Sequence, residues 1–170
     1  ADGLDSEEQR LAMRERSYRF LADLNDCWEQ TLRPALAAEQ IAFIDRDDYT
    51  PAVRTYLTGR FNAGICPVLT PLAFDPGHPF PYISNRSKNL AVVVRHERRM
   101  RFARVKVPDI LPRFLEIPAS IADRPGLTYA FLEDVIADNA QDLFPGVDVQ
   151  SAHLFRVLRD SDIEVEEEAE

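Results

Sequence analysis

Two cysteines, six glycines and three histidines stand in 170 residues, and no run of about 18 apolar residues occurs. Each scarcity removes a class of function. Cys27 and Cys66 fall on different predicted helices without C-x-x-C spacing, so neither a disulfide framework nor a zinc pattern is expected. A glycine-rich phosphate cradle is hard to build from so few glycines, and neither G-x-x-x-x-G-K-[ST] nor G-x-G-x-x-G is present. No G-x-S-x-G and no Ser/His/Asp or Cys/His set stands out. His78, His96 and His153 fall in a loop, a hairpin turn and a strand, none with an acid or thiol at metal-site spacing. Their expected roles are structural or at the surface. Without a signal peptide or an apolar span, a soluble, cytoplasmic chain is expected. The chain starts on Ala1 and ends in a rising acidic run, so it is expected to be cut at both ends.

What is present supports a folded core. Hydrophobic residues make up 45% and charged residues 29% of the chain, a globular balance. The net charge of −9 argues against nucleic acid as the main partner. That average hides a pattern. Residues 1–49 carry twelve acids and six bases, residues 50–85 one acid and two bases. Residues 86–113 carry two acids and nine bases, and residues 114–170 fourteen acids and three bases. A basic island therefore sits between acidic flanks. Its members are Arg86, Lys88, Arg95, Arg98, Arg99, Arg101, Arg104, Lys106 and Arg113. Such a cluster either holds a polyanion or pairs with the acidic flanks or a partner subunit.

Local signals order the chain. Residues 5–32 read as one long helix, capped by Asp5 or Ser6, with Glu7 and Glu8 where the helix dipole favours acids. Its apolar stripe is Leu11, Tyr18, Leu21, Leu24, Trp28 and Leu32. Pro34 marks a break or kink, and 40–44 reads as a brief extended piece. Thr50-Pro51 is an N-cap followed by proline at the first helical position, opening a helix to about Gly64 or Cys66.

The stretch 67–85 then holds five of the twelve prolines. Proline lacks the N–H that a helix interior needs and biases its predecessor away from the helical region. The expectation is an extended, packed joint built on Pro67, Pro71, Asp75, His78, Pro79, Phe80, Pro81, Tyr82 and Asn85. After it the period changes to two. Residues 89–95 and 101–107 read as a hairpin, with Ala103, Val105 and Val107 on one face and Phe102, Arg104 and Lys106 on the other. Residues 115–117 and 152–158 are further strand candidates, 129–143 reads as a helix, and 164–170 as a helix opening. The fold class expected is α+β: a long N-terminal helix and a second helix, then a small antiparallel sheet backed by a helix.

Several blocks are specific enough to carry a resemblance. PVLTPLAFDPGHPFPYISN, NLAVVV, RFARVKVP, LPRFLEIP, FLEDVIADNAQDLFPG and FRVLRDSDIEVEEEAE follow one another in this order. The chain resembles the first-type polyphosphate kinase family from about Leu4 to Glu170. The resemblance implies a reversible transfer of the terminal phosphate of ATP to inorganic polyphosphate, through a phosphorylated histidine and with magnesium. It implies a homodimer or higher oligomer, often at the inner membrane face. On this resemblance residues 1–49 are the end of an N-terminal helical domain. Residues 50–170 are a middle (head) domain, truncated at its end, which contributes to the subunit contact.

The family's phosphohistidine and magnesium ligands lie in C-terminal domains beyond Glu170, and none of His78, His96 or His153 matches them. No catalytic, cofactor-binding or metal-binding residue is therefore carried over. The segment alone is expected to be inactive and to serve assembly and positioning, with the rest of the kinase chain as its partner. The alternative is a stand-alone polyanion-binding module using the 86–113 island. Arg95, Arg98, Arg99, Arg101, Arg104, Lys106 and Arg113 are its candidate polyanion or subunit contacts. Arg86 and Lys88 stand where the family is usually apolar, so that turn is either exposed or diverged.

Overall fold

The computed structural model describes residues 5–73, 82–96 and 99–158. Helix α1 spans Ser6–Asp26. Asp5 caps it: its carboxylate accepts from the Glu7 and Glu8 amides at 2.9 and 2.8 Å, and Glu8 returns a bond to the Asp5 amide at 2.9 Å. Reciprocal satisfaction of these end groups is the capping box. The helix does not break at Pro34. A π-helical turn, Cys27–Leu32, leads directly into α2, Arg33–Ala38, so that Pro34 falls in a first turn. The wider winding absorbs the missing amide that the sequence reading expected to break or kink the helix. No residue of α1 is buried, and Leu11, Tyr18, Leu21 and Leu24 are each half exposed or more.

Strand β1 (Ile41–Ile44) follows a left-handed Gln40, at φ 60°. Helix α3 (Pro51–Arg60) starts on Thr50, whose hydroxyl accepts from the Val53 amide at 3.3 Å. It winds on through a π-helical turn, Phe61–Ile65, and a 3₁₀ turn, Cys66–Val68, that takes up Pro67. Pro71 opens the short edge strand β2 (Pro71–Ala73), a place where proline withholds no needed ladder bond. Tyr82 and Asn85 are exposed ahead of β3 (Lys88–His96). Of the expected joint, Asp75, His78, Pro79, Phe80 and Pro81 lie outside the described residues, as does the helix opening at 164–170.

Beyond β3 come β4 (Arg99–Lys106), β5 (Phe114–Ile117), a four-residue helix α4 (Ala119–Ala122), β6 (Leu127–Phe131), α5 (Leu132–Asp138) and β7 (Asp148–Arg156). The strands form two sheets. One is antiparallel throughout, in the order β2-β4-β3-β7. The other, β1-β6-β5, contains one parallel pair, β1 with β6. The α+β class is as expected, and the hairpin register sets Leu90 opposite Val105 and Val92 opposite Ala103. These residues meet Val53, Leu57 and Phe61 from α3 and its extension, and Val135 and Ile136 from α5, in one core.

One element is corrected. The 129–143 stretch is not a single helix: Tyr129–Phe131 belong to β6, α5 ends at Asp138, and Ala140–Leu143 form a 3₁₀ turn. The apolar residues of this stretch satisfy a helical period, but Thr128 and Ala130 alternate into the core with 0% exposure, and Tyr129 and Phe131 face the other way. Strand pairing on both sides of β6 overrides the local preference. Asn139 then ends α5, its side-chain amide donating to the Val135 carbonyl at 2.8 Å.

Gly126 is required where β1 meets β6. Its φ is +84°, and a Cβ there would lie 2.1 Å from the Gln40 carbonyl oxygen, which accepts from the Leu127 amide at 2.8 Å. Gly126→Ala is expected to cost about 2 kcal/mol, from left-handed strain and overpacking against backbone. Urea denaturation checks this; a midpoint equal to that of the parent would refute it.

Candidate functional site

The structure divides the basic island into three sets. Lys88 and Arg104 are largely buried, and Arg113, itself exposed, is tied to the fold through a buried acid. Arg104 is buried at 7% exposure; its Nε donates to Asn89 Oδ1 at 2.7 Å and its Nη1 to the Tyr82 carbonyl at 3.1 Å. Asn89 in turn donates to Ser87 Oγ and the Ser87 carbonyl, both at 3.0 Å. This network fastens the end of the proline-rich segment to β4. Every polar atom in it that leaves water regains a partner, which is why it can be buried.

Lys88 and Arg113 converge on Glu133, a carboxylate with 4% exposure at the start of α5. Lys88 Nζ lies 3.6 Å from one oxygen and Arg113 Nη2 3.4 Å from the other. The group joins a strand of the antiparallel sheet to the approach to β5. The question raised by Arg86 and Lys88 resolves with it: Arg86 is exposed in a turn at φ 61°, and Lys88 is paired.

The second set lies on the surface. Arg95 pairs with Asp148 across β3 and β7. Arg99, Arg101 and Lys106 are exposed, and Arg98 lies outside the described residues. Arg101 and His96 flank a cleft of about 460 Å³ whose walls include Val94, Phe144 and Pro145. Exposed Arg86 stands apart as the third.

An aromatic group that the sequence reading did not anticipate covers the β1-β6-β5 sheet. Phe43 stacks on Phe131 at 5.3 Å, and Trp28, from the π-helical turn, meets Phe43 edge-on at 5.3 Å. Arg113 lies 5.7 and 5.9 Å from the Phe114 and Phe131 ring centroids, within cation–π range. Arg33 donates to the Phe43 carbonyl and to Asp45, both at 2.8 Å. Trp28 and Arg33 thus anchor the helical arm to the body. The only sequence signal for this was the alternation of Phe and Tyr across strands whose pairing was not legible.

A trough runs between the 45–47 turn, α5 and β7. Its two contiguous parts, of about 300 and 260 Å³, share Arg46, Ala137 and Ala152. Within it the Asp134 carboxyl is raised from 3.8 to about 6, first by burial and then by the neighbouring Glu133. Burial, with Asp134 and Asp138 nearby, also pushes the Tyr49 hydroxyl up. Because folding raises the Asp134 pKa, its ionisation penalises the folded state. The penalty is absent below about pH 3.8, grows between 3.8 and about 6, and is complete above. Asp134→Asn is therefore expected to raise the denaturation midpoint at neutral pH and to lose that advantage in acid. A gain independent of pH would refute this.

Among the described residues, no group of three or more His, Cys, Asp or Glu side chains is placed to hold a metal ion. None of their helices is long and apolar enough to cross a membrane.

Residues 52–170 match the family model described as the polyphosphate kinase middle domain. The chain belongs to the polyphosphate kinase family. A polyphosphate kinase of Synechocystis is 45% identical over 175 residues, covering 99% of this chain and 24% of that protein. The polyphosphate kinase of Thermosynechococcus vestitus is 41% identical over 170 residues, covering 98% of this chain and 23% of its own length. The crystal structure of polyphosphate kinase from Porphyromonas gingivalis superposes with a TM-score of 0.78 at 28% identity, over 91% of this chain and 24% of that one. The chain thus spans about a quarter of each of these polyphosphate kinases.

Proposed function

We propose that this chain is the assembly and positioning segment of a polyphosphate kinase that reversibly transfers the terminal phosphate of ATP to inorganic polyphosphate through a phosphohistidine. Residues 1–49 close an N-terminal helical domain and residues 50–170 form the middle domain. β1 crosses that division by pairing with β6. ATP, polyphosphate and magnesium are handled by the rest of the kinase chain, and the full enzyme works as a homodimer or higher oligomer. No chemical step is assigned to the residues of this segment.

The observation that carries this reading is the family match over 52–170, which falls on the middle domain. The use of the cations agrees with it: Lys88 and Arg113 pair with Glu133, and Arg104 bonds to Asn89. The experiment is ATP-dependent polyphosphate synthesis with γ-labelled ATP on this chain. No turnover is expected; turnover with an acid-labile phosphohistidine would overturn the assignment.

A second reading, polyanion binding, is favoured by exposed Arg99 and Arg101, for which no ion pair occurs among the described residues. It requires salt-sensitive polyphosphate binding that falls when Arg98, Arg99 and Arg101 become alanine. Binding that ignores those changes removes it.

A further inference from the structure

The trough beside β7 is not used by the assembly reading. It has three features that act together. First, β7 is an edge strand, with β3 on one side and no described strand on the other. A strand edge presents backbone donors and acceptors to any extended chain that reaches it. Second, the edge already binds one amide. Gln141 Nε2 donates to the Val147 carbonyl at 2.9 Å and Gln141 Oε1 accepts from the Val149 amide at 3.0 Å. A side-chain amide thus stands where the peptide group of a neighbouring strand would, at one end of a nine-residue strand.

Third, the larger part of the trough is lined by Asp45, Asp47, Glu133 and Asp134 against Arg46 and His153. Asp45 is held by Arg33 and Glu133 by Lys88 and Arg113. Even so, Glu133 Oε2 is buried and accepts no hydrogen bond. Burial first, and then repulsion from Glu133, hold the Asp134 carboxyl up against the opposing pull of Arg46, with Asp45 and Asp47 adding to the rise. A cation placed there would relieve these groups.

We propose that the trough along the edge of β7 that no described strand pairs binds an extended basic segment of a partner protein by strand addition. Backbone pairing to β7 supplies the affinity, and alternate Lys or Arg side chains reach the carboxylates. A second copy of this chain does not fit the role. Its described basic strands, β3 and β4, each already have a strand on both sides.

The test is fluorescence anisotropy of a nine-residue peptide, matched to β7, with alternating Lys and Val. Saturable binding is expected. It should weaken about tenfold or more when the lysines become glutamates, since like charges oppose in the trough. It should be lost when alternate peptide nitrogens are methylated, because that removes the strand-pairing donors. On the protein, Asp47→Asn with Asp134→Asn should weaken binding, and Asp109→Asn, elsewhere on the surface, should not. Equal binding of the methylated or the glutamate peptide overturns the proposal. So does protection of β7 amides from exchange that rises with protein concentration instead of with peptide, which would place a second copy on the edge.

Discussion

Replacing Glu133 with alanine is expected to remove about 3–5 kcal/mol of folding stability, a large part of what a domain possesses. The cost does not come from the ion pair as such. Lys88 has a side chain only 16% exposed, and Glu133 is its paired anion. Deleting the carboxylate leaves an ammonium group desolvated without compensation, while Arg113, at 52%, can turn to water. The contrast experiment is Lys88→Met combined with Glu133→Leu. Removing both charges together should recover most of the loss, because buried pairs are often replaceable by apolar residues of similar volume. Urea denaturation of the two single variants and the pair reports the coupling. A single Glu133→Ala loss under about 1 kcal/mol, the range of exposed pairs, would show that water reaches Lys88.

Phe61→Ala is expected to be comparably severe, at about 3–5 kcal/mol, the usual range for a large buried aromatic side chain. Val53, Leu57, Phe61 and Ile65 are 2%, 1%, 0% and 4% exposed and recur at four-residue steps. In an α-helix, each step of four advances about 40° beyond a full turn, so the stripe drifts off the core. The π-helical turn from Phe61 to Ile65 winds less per residue and brings Ile65 back onto the same face. Phe61 sits where the two windings meet and packs in the core with α5 and the sheets. Phe61→Leu keeps most of the volume and should cost roughly 1 kcal/mol. If alanine and leucine at this position give the same midpoint, the packing account is wrong.

How much of this was legible depended on the range of the interaction. Asp5, Glu8, Thr50 and Pro51 announced helix starts because capping involves residues two to four apart. The alternation of Ala103, Val105 and Val107 announced a half-buried strand, and all three are buried at 1% or less. The same alternation placed Arg104 with Phe102 and Lys106 on the opposite, outward face. That face is covered there by the segment ending at Ser87, so Arg104 is buried. Tyr129–Phe131 read as helix because its apolar residues fit both periods. Only its neighbours β1 and β5 decide between them.

By itself, the sequence determined the helix caps, the β3–β4 hairpin and, through the order of its blocks, membership in the polyphosphate kinase family. These follow from steric and hydrogen-bonding rules that act over a few residues, or from the pattern of the whole chain. Tertiary structure alone decided which basic residues are internal, how Glu133 draws Lys88 and Arg113 together, and that β1 pairs with β6 more than 80 residues later. The environment of a charge is set by groups distant in sequence. A desolvated lysine and a solvated one are therefore the same letter until the chain has folded.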